Sequence, residues 1–346
     1  MSLKPVSIPG TFGFGTMSLT WTPNPKPFEE AFESIKYSMD KYNIRFLNGG
    51  DFYGPDNINL KLLSEFWKKY AKDYPDLVIS IKGAINPTTL APDGSKESIS
   101  KSVENMISFF PKEKSKRPVL IFEIARVDTN VPYEETIGYI KEYVETGAID
   151  GISLSEVGVG SIAKAVKVAP ISCVEVEVSL MCQDVFENGV LKELSEKQIP
   201  IVAYSPLCRG FLTDRTANDL DAFFKLCQTP GDIRGHLDRF SAENFPTNSK
   251  VVKKLQEFAH SKNTTLESLA LSWLVSVSEQ EDYEGIKKVC KIIPIPSGST
   301  ADKIDKNLGN INKLSKADLK EIKNITDTNK VVGYRYNKHA EHMNFA

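Results

Sequence analysis

Tyr53 stands in the stretch Phe46-Leu47-Asn48-Gly49-Gly50-Asp51-Phe52-Tyr53-Gly54, where a short apolar run gives way to a turn. Gly49-Gly50 and Gly54-Pro55 force that turn, because glycine supplies backbone angles that other residues avoid. A phenol held at the mouth of a strand can act as a general acid, giving a proton to an oxygen that gains negative charge. The competing reading is a surface tyrosine in a loop. A second reactive group, Lys82, is delivered with Gly83 at the end of the β-branched run 77–81. The glycine-rich run 12–17 suggests a dinucleotide fingerprint, but Gly13-x-Gly15-x-x-Ser18 lacks the third glycine. Trp21 and prolines follow it instead of a helical pattern, so that fingerprint fails.

The elements that must position these groups follow from periodicity. A strand at 12–17 is followed by a helix from Pro27, with Phe28, Phe32, Ile35 and Met39 on one face. A strand then runs into Asn48, and residues 57–70 form a helix with Leu60, Leu63, Phe66 and Trp67 inward. Further strands are expected at 77–81, 119–125, 149–155, 173–178, 201–204 and 291–296. Helices are expected from Ser95, across 133–147, to about 168, at 190–197, near 249–261 and 264–276, and from Thr300. A polar loop over about 210–245 interrupts the rhythm.

Strand–helix alternation implies parallel strands. Eight such units over this length favour a closed (β/α)8 TIM barrel over an open doubly wound sheet. Functional residues of a barrel sit at the C-terminal ends of its strands, where Asn48–Tyr53, Lys82, Ala125–Arg126, Ser155–Glu156, Tyr204–Ser205 and Ser297–Gly298 fall. No repeat or linker is evident, so residues 1–346 read as one domain, with a tail over about 328–346 near the barrel mouth.

A net charge of −2 argues against a dedicated nucleic-acid or membrane-surface role. Residues 1–15 hold no long apolar run of a secretory signal, and no stretch approaches a membrane span. Five scattered cysteines without a C-x-x-C pair fit a reduced, cytoplasmic protein, with the nucleus as a further compartment. The four histidines have no metal-ligand spacing, so no metal is expected. The oligomeric state is open, with a monomer favoured.

Stretches spread along the whole chain resemble the aldo-keto reductases, in their family order. They are Gly15-Thr16-Met17, Tyr53-Gly54, Lys82-Gly83, Arg126-Val127-Asp128, Gly151-Ile152-Ser153, Ala203-Tyr204-Ser205-Pro206-Leu207 with Arg209-Gly210, and Ile295-Pro296 followed by Lys303 and Asn307. The finer pattern is similar to the fungal pyridoxal reductase branch. It rests on Asn48-x-Gly-x-Phe-Tyr-Gly, on Ile121-Phe122-Glu123 with Ala125-Arg126-Val127-Asp128, on 153–157, on Ile295-Pro296-Ser297-Gly298-Ser299, and on Gly333-Tyr334-Arg335-Tyr336.

The resemblance implies an NADPH-dependent (β/α)8 reductase of a small aldehyde, pyridoxal in the branch it is most similar to, with another aromatic or aliphatic aldehyde as the alternative. It implies Tyr53 as proton donor with Lys82 beside it. A phenol of pKa about 10 is a sluggish donor near neutral pH, and a neighbouring ammonium eases its proton release. It places Tyr204 against the nicotinamide ring, and Ser155 and Glu175 at its carboxamide. Gly15, Thr16 and Met17 belong to the same cofactor set. Ser205, Leu207, Arg209 and Gly210 fall at the pyrophosphate. Ser297, Gly298, Thr300, Lys303 and Asn307 fall at the adenosine end, where Lys303 meets the 2′-phosphate at a helix start. Trp21, Phe52, Arg126 and the tail residues Arg335 and Tyr336 are the candidates to line the substrate mouth.

Two positions depart from the family pattern. Asn48 stands where an aspartate usually pairs with the lysine, and Ala125 where a polar residue helps orient the carbonyl. These departures keep open a barrel that binds NADPH as a sensor or partner subunit. Glu123 offers a resolution. It alternates with Ala125 along one strand, so it should point into the barrel and supply Lys82 with the carboxylate that Asn48 lacks. The alternative is an outward Glu123 that meets a helix lysine.

Overall fold

The apolar, β-branched runs pair edge to edge because each is buried on both faces, as parallel strands between helices must be. The computed structural model describes residues 3–346 except Pro23 and Pro87. Eight parallel strands follow one another around the sheet in chain order: β1 (Phe14–Gly15), β2 (Phe46–Gly50), β3 (Val78–Gly83), β4 (Val119–Ile124), β5 (Gly151–Ser155), β6 (Cys173–Glu177), β7 (Ile201–Tyr204) and β8 (Ile292–Pro294). A backbone hydrogen bond of 3.0 Å from Gly13 to the Pro294 carbonyl links the last strand to the segment entering the first. The fold is the expected (β/α)8 barrel.

Alternation along the strands stacks the barrel interior in layers. The lower layer is apolar: Phe46, Val78, Ile121, Cys173, Val202 and Ile293 form one cluster. Two residues further along, from β2 to β6, the interior becomes polar, with Asn48, Ser80, Glu123, Ser153 and Glu175, all buried. The layer above holds Gly50, Lys82, Ala125, Ser155 and Glu177. Polar groups are therefore concentrated toward the C-terminal end, over an apolar floor.

Three local readings are corrected. The first strand is shorter than 12–17: Thr16 turns its amide (2.9 Å) and hydroxyl (2.8 Å) onto the Asn48 carbonyl, and Met17–Thr20 is a short helix. The segment 210–245 is not simply a polar loop, since it contains helices Asp214–Asn218 and Leu220–Cys227. Thr213 and Asp219 cap them, and stacked Phe211, Phe223 and Phe245 with Phe240 form their core. The sequence reading also passed over helix Lys316–Thr328 and a two-stranded hairpin, Glu281–Tyr283 with Ile286–Lys288. The hairpin is separate from the barrel sheet.

Candidate active site

Tyr53 is fixed by its backbone and by missing side chains. Its amide bonds the Gly50 carbonyl at 3.3 Å, and its own carbonyl accepts from the Thr20 hydroxyl at 2.9 Å. Asn59 ties Thr20 (2.9 Å) and the Gly50 amide (3.1 Å) into the same turn. A β-carbon on Gly50 would lie 2.9 to 3.1 Å from three carbons of the Tyr53 ring, so the ring rests on that glycine. Gly54, at φ +99°, faces the Thr20 carbonyl so closely that a β-carbon would approach it to 2.8 Å. Trp21 and Phe52 flank the ring, with centroids 5.7 and 5.1 Å from that of Tyr53.

Lys82 ends β3 with its ammonium 5.6 Å from the centre of the Tyr53 ring. Burial pushes the Tyr53 phenol up to about 12, against the opposing pull of Lys82, which acts by charge and by hydrogen bond. Burial would make Lys82 easier to deprotonate. Glu123 and Glu175 outweigh it and hold the lysine well above its ordinary value, charged at any working pH.

Glu123 points inward, as expected. It is the register partner of Lys82 across β3 and β4, and its Oε1 lies 3.2 Å from Nζ. Its Oε2 accepts from the Ser80 hydroxyl at 2.9 Å. Asn48 accepts from Lys82 at 3.0 Å, also as expected. The unforeseen member is Glu175. Its Oε1 pairs with Lys82 Nζ at 2.5 Å and its Oε2 accepts from the Asn48 amide at 2.5 Å. The sequence carried one signal for this, a carboxylate inside the apolar run of β6 that needs a buried partner.

The positions that the resemblance gave to a cofactor gather at the same end of the barrel. Gly15, Thr16 and Met17 follow β1; Ser155 and Tyr204 close β5 and β7; and Ser205, Leu207, Arg209 and Gly210 follow directly. Ser205, Cys208 and Arg209 are left-handed without being glycine, at φ 46°, 46° and 55°, with Gly210 at 90°. Such backbone strain concentrates where a ligand must be met closely.

Beyond β8, Thr300 caps helix Ala301–Leu308, and Asn307 bonds the Ser297 carbonyl at 3.2 Å. A β-carbon on Gly298 would lie 2.5 Å from the Ile304 side chain. Lys303 reaches the Ser299 hydroxyl at 3.0 Å, and Lys26 the Ser299 carbonyl at 3.2 Å. Burial lowers the Lys303 pKa, and the positive charges of Arg215 and Lys26 lower it further. Cations that disfavour one another around a helix start, with hydroxyls between them, fit a phosphate. The sequence reading missed Lys26 and Arg215, which come from distant segments, a loop and helix Asp214–Asn218.

The tail closes the mouth. Arg335 is buried and grips Glu156 through two hydrogen bonds of 3.0 and 2.6 Å, with Asp184 at 3.2 Å and Glu177 at 3.8 Å. Arg335 therefore serves as a cation for three carboxylates and does not line the mouth as expected. Tyr336 does. Its hydroxyl meets that of Tyr204 at 2.9 Å and accepts from Arg126 at 3.3 Å, and Arg209 lies 5.4 Å from its ring centre. Among the described residues, no group of three or more His, Cys, Asp or Glu could hold a metal, and no helix is long and apolar enough to cross a membrane.

Comparison with known proteins bears on the family and the fold. The sequence model of the Aldo/keto reductase family matches residues 11–327. The chain is 35% identical to "Probable pyridoxal reductase 2" of Schizosaccharomyces pombe, over 96% of each chain. It is 37% identical to "Putative pyridoxal reductase" of Saccharomyces cerevisiae, over 94% of this chain and 95% of the other. In fold it is similar to the glycerol dehydrogenase AKR11B4 from Gluconobacter oxydans, with a TM-score of 0.75 at 15% identity over 95% and 97% of the two chains. It is also similar to the thermostable aldo-keto reductase Tm1743, with a TM-score of 0.64 at 19% identity over 92% and 95%. A barrel with a buried tyrosine–lysine pair at its C-terminal end, matched by the family along nearly its whole length, leaves one conclusion: this chain belongs to the aldo/keto reductase family.

Proposed function

We propose that the chain is an NADPH-dependent carbonyl reductase that reduces pyridoxal to pyridoxine, with Tyr53 as the proton donor. The observation that carries this reading is the Lys82 ammonium, buried and charged, 5.6 Å from the Tyr53 ring centre. Reduced nicotinamide, when bound, supplies the hydride that the carbonyl carbon receives. Tyr53 gives its proton to the carbonyl oxygen, and Lys82 stabilises the phenolate left behind. Trp21 and Phe52 offer aromatic faces to a flat aldehyde. Lys303, Ser297 and Thr300 would hold the adenosine 2′-phosphate, with Lys26 and Arg215 adding positive charge. The relatives named as pyridoxal reductases support the substrate.

A second reading is favoured by Ala125, which brings no polar side chain of its own to orient a carbonyl, and by the raised Tyr53. In it the barrel binds NADPH as a sensor with little catalysis. NADPH oxidation by purified protein with pyridoxal, pyridoxal phosphate and 4-nitrobenzaldehyde separates the two. Turnover that is greatest with pyridoxal supports the first reading. Tight NADPH binding without reduction of any aldehyde establishes the second.

A further inference from the structure

The centre of the barrel holds one carboxyl more than it holds cations. Lys82 is met by Glu175 at 2.5 Å and Glu123 at 3.2 Å, and all three side chains are at least nine-tenths buried. The fourth member, Asn48, accepts from Lys82 and donates its amide nitrogen to both carboxyls, at 2.5 Å to Glu175 and 3.3 Å to Glu123. Two like charges this close, with one ammonium between them, raise the cost of ionising both away from water, which favours a proton on the pair at rest. An aspartate at position 48 could still accept from Lys82 but could not donate to either carboxyl. It would add a third carboxylate to the same ammonium.

The geometry of Lys82 shows where that proton can go. Its hydrogen bonds run to Asn48 and Glu175, whereas Glu123 Oε1 lies within charge reach but forms no hydrogen bond. The third ammonium hydrogen has no side-chain acceptor among these, and the group beside it is Tyr53, whose ring centre lies 5.6 Å from the nitrogen. Lys82 thus lies between Glu175, which it hydrogen-bonds, and Tyr53.

We propose that Glu175 is a positioning residue of the proton donor, sharing one proton with Glu123 and passing it through Lys82 to reset Tyr53, instead of a ligand for the nicotinamide carboxamide. This rests on the reading that Tyr53 protonates a carbonyl. As the carbonyl carbon gains hydride from the reduced nicotinamide, the Tyr53 O–H bond breaks and an O–H bond forms on the carbonyl oxygen. Lys82 then gives one N–H proton to the phenolate and takes one from the Glu175 carboxyl. The ammonium is unchanged, the pair ends as two carboxylates, and solvent returns the proton before the next turnover. Burial and the neighbouring Glu123 raise Glu175, in the direction this requires, while Lys82 opposes them. The groups that face Glu175 are Asn48 from β2, Lys82 from β3, Glu123 from β4, the Cys173 thiol two residues before it on β6, and Tyr53 above. Its register partners on β5 and β7 are Ser155 and Val202.

The test uses the full chain with NADPH. Glu175→Gln keeps the size of the side chain and removes its titration. The expected result is a kcat at least tenfold lower, a pH profile of kcat displaced by about one unit, and an NADPH Kd within threefold of wild type. An unmoved pH profile together with several-fold tighter NADPH binding overturns the proposal, because the amide is then a carboxamide ligand. Asn48→Asp, which restores the family residue, is expected to lower kcat further, and Asn48→Asp/Glu175→Gln to recover part of the loss. A gain in kcat for Asn48→Asp alone overturns the charge argument. A readout without turnover keeps this separate from the proposed activity. Infrared spectroscopy of the wild-type protein with 13C-labelled glutamate should show a protonated, buried carboxyl at neutral pH that disappears in Glu175→Gln or Glu123→Gln. Its absence from the wild type overturns the shared proton, whether or not the protein reduces pyridoxal.

Discussion

Lys82 and Glu123 face one another as directly paired residues of β3 and β4, with 3.2 Å between ammonium and carboxylate. The charge usually expected one strand away, at position 48, has been moved to the other side of the lysine. Catalytic roles at this site therefore have to be read from the barrel layer as a whole, and not position by position.

Tyr53→Phe retains the ring between Trp21 and Phe52 and deletes the proton. Steady-state turnover should fall at least ~10²-fold, the scale of a lost general acid, with NADPH binding retained in a fluorescence titration. Wild-type turnover in this variant would remove Tyr53 from the chemistry.

Gly50→Ala tests the support beneath that ring. The added carbon meets Tyr53 at about 3 Å, and the turn must shift because neither the strand nor the flanking rings can yield easily. The expected loss in kcat is on the order of 10-fold or more with a smaller effect on cofactor affinity, since a displaced donor costs rate before binding. A kcat equal to wild type would show that the turn gives way freely.

Lys303→Ala should weaken NADPH at least ~10-fold while leaving NADH within about twofold, because only NADPH carries the 2′-phosphate. Arg215→Ala should act in the same direction with smaller size. Equal losses for both cofactors would place Lys303 away from that phosphate.

Burial raises the Asp51 carboxyl to about 6, against the Ser102 hydroxyl and the Phe52 amide, which bond it and lower it. A folded-state pKa above the unfolded 3.8 means stability that is complete below that value and is lost as pH rises to about 6. Asp51→Asn keeps an acceptor for Ser102 and removes the titration. Its urea stability relative to wild type should therefore improve between pH 4 and pH 6, by about 2–3 kcal/mol, and stay level above. A difference independent of pH would show that Asp51 titrates normally.

Arg335→Ala leaves Glu156 buried without its cation, a loss of about 3–5 kcal/mol. Arg335 holds Glu156 below the usual carboxylate range despite burial, so the penalty should shrink at low pH, where Glu156 can take a proton. Denaturant unfolding at pH 5 and pH 7.5 measures both. Equal losses at the two pH values would assign the arginine's contribution to packing.

Much of this was legible because strands are local. The runs at 78, 119, 151 and 201 announce themselves by β-branched residues, and Glu123 by being charged within one of them. Alternation with Ala125 then fixed its direction and its neighbour. Glu175 was harder, because its contact with Lys82 crosses from β6 to β3 and exists only once the barrel closes. Arg335 and Glu156 lie 179 positions apart, and no periodicity links them. Lys26, Arg215 and Lys303 come together from three segments far apart in the chain, a loop and two helices. Helix Lys316–Thr328 is the opposite case. Its Ser315–Asp318 capping box was visible in the sequence and was passed over.

The position of Arg335 in the chain also bears on biosynthesis. Glu156, Glu177 and Asp184 leave the ribosome long before it, and the last barrel strand precedes it as well. The barrel can therefore close while its mouth still carries carboxylates without their guanidinium. Until the tail docks, the barrel has an acidic rim, and Tyr204 lacks the hydroxyl that Tyr336 brings. In this protein the mouth is assembled last.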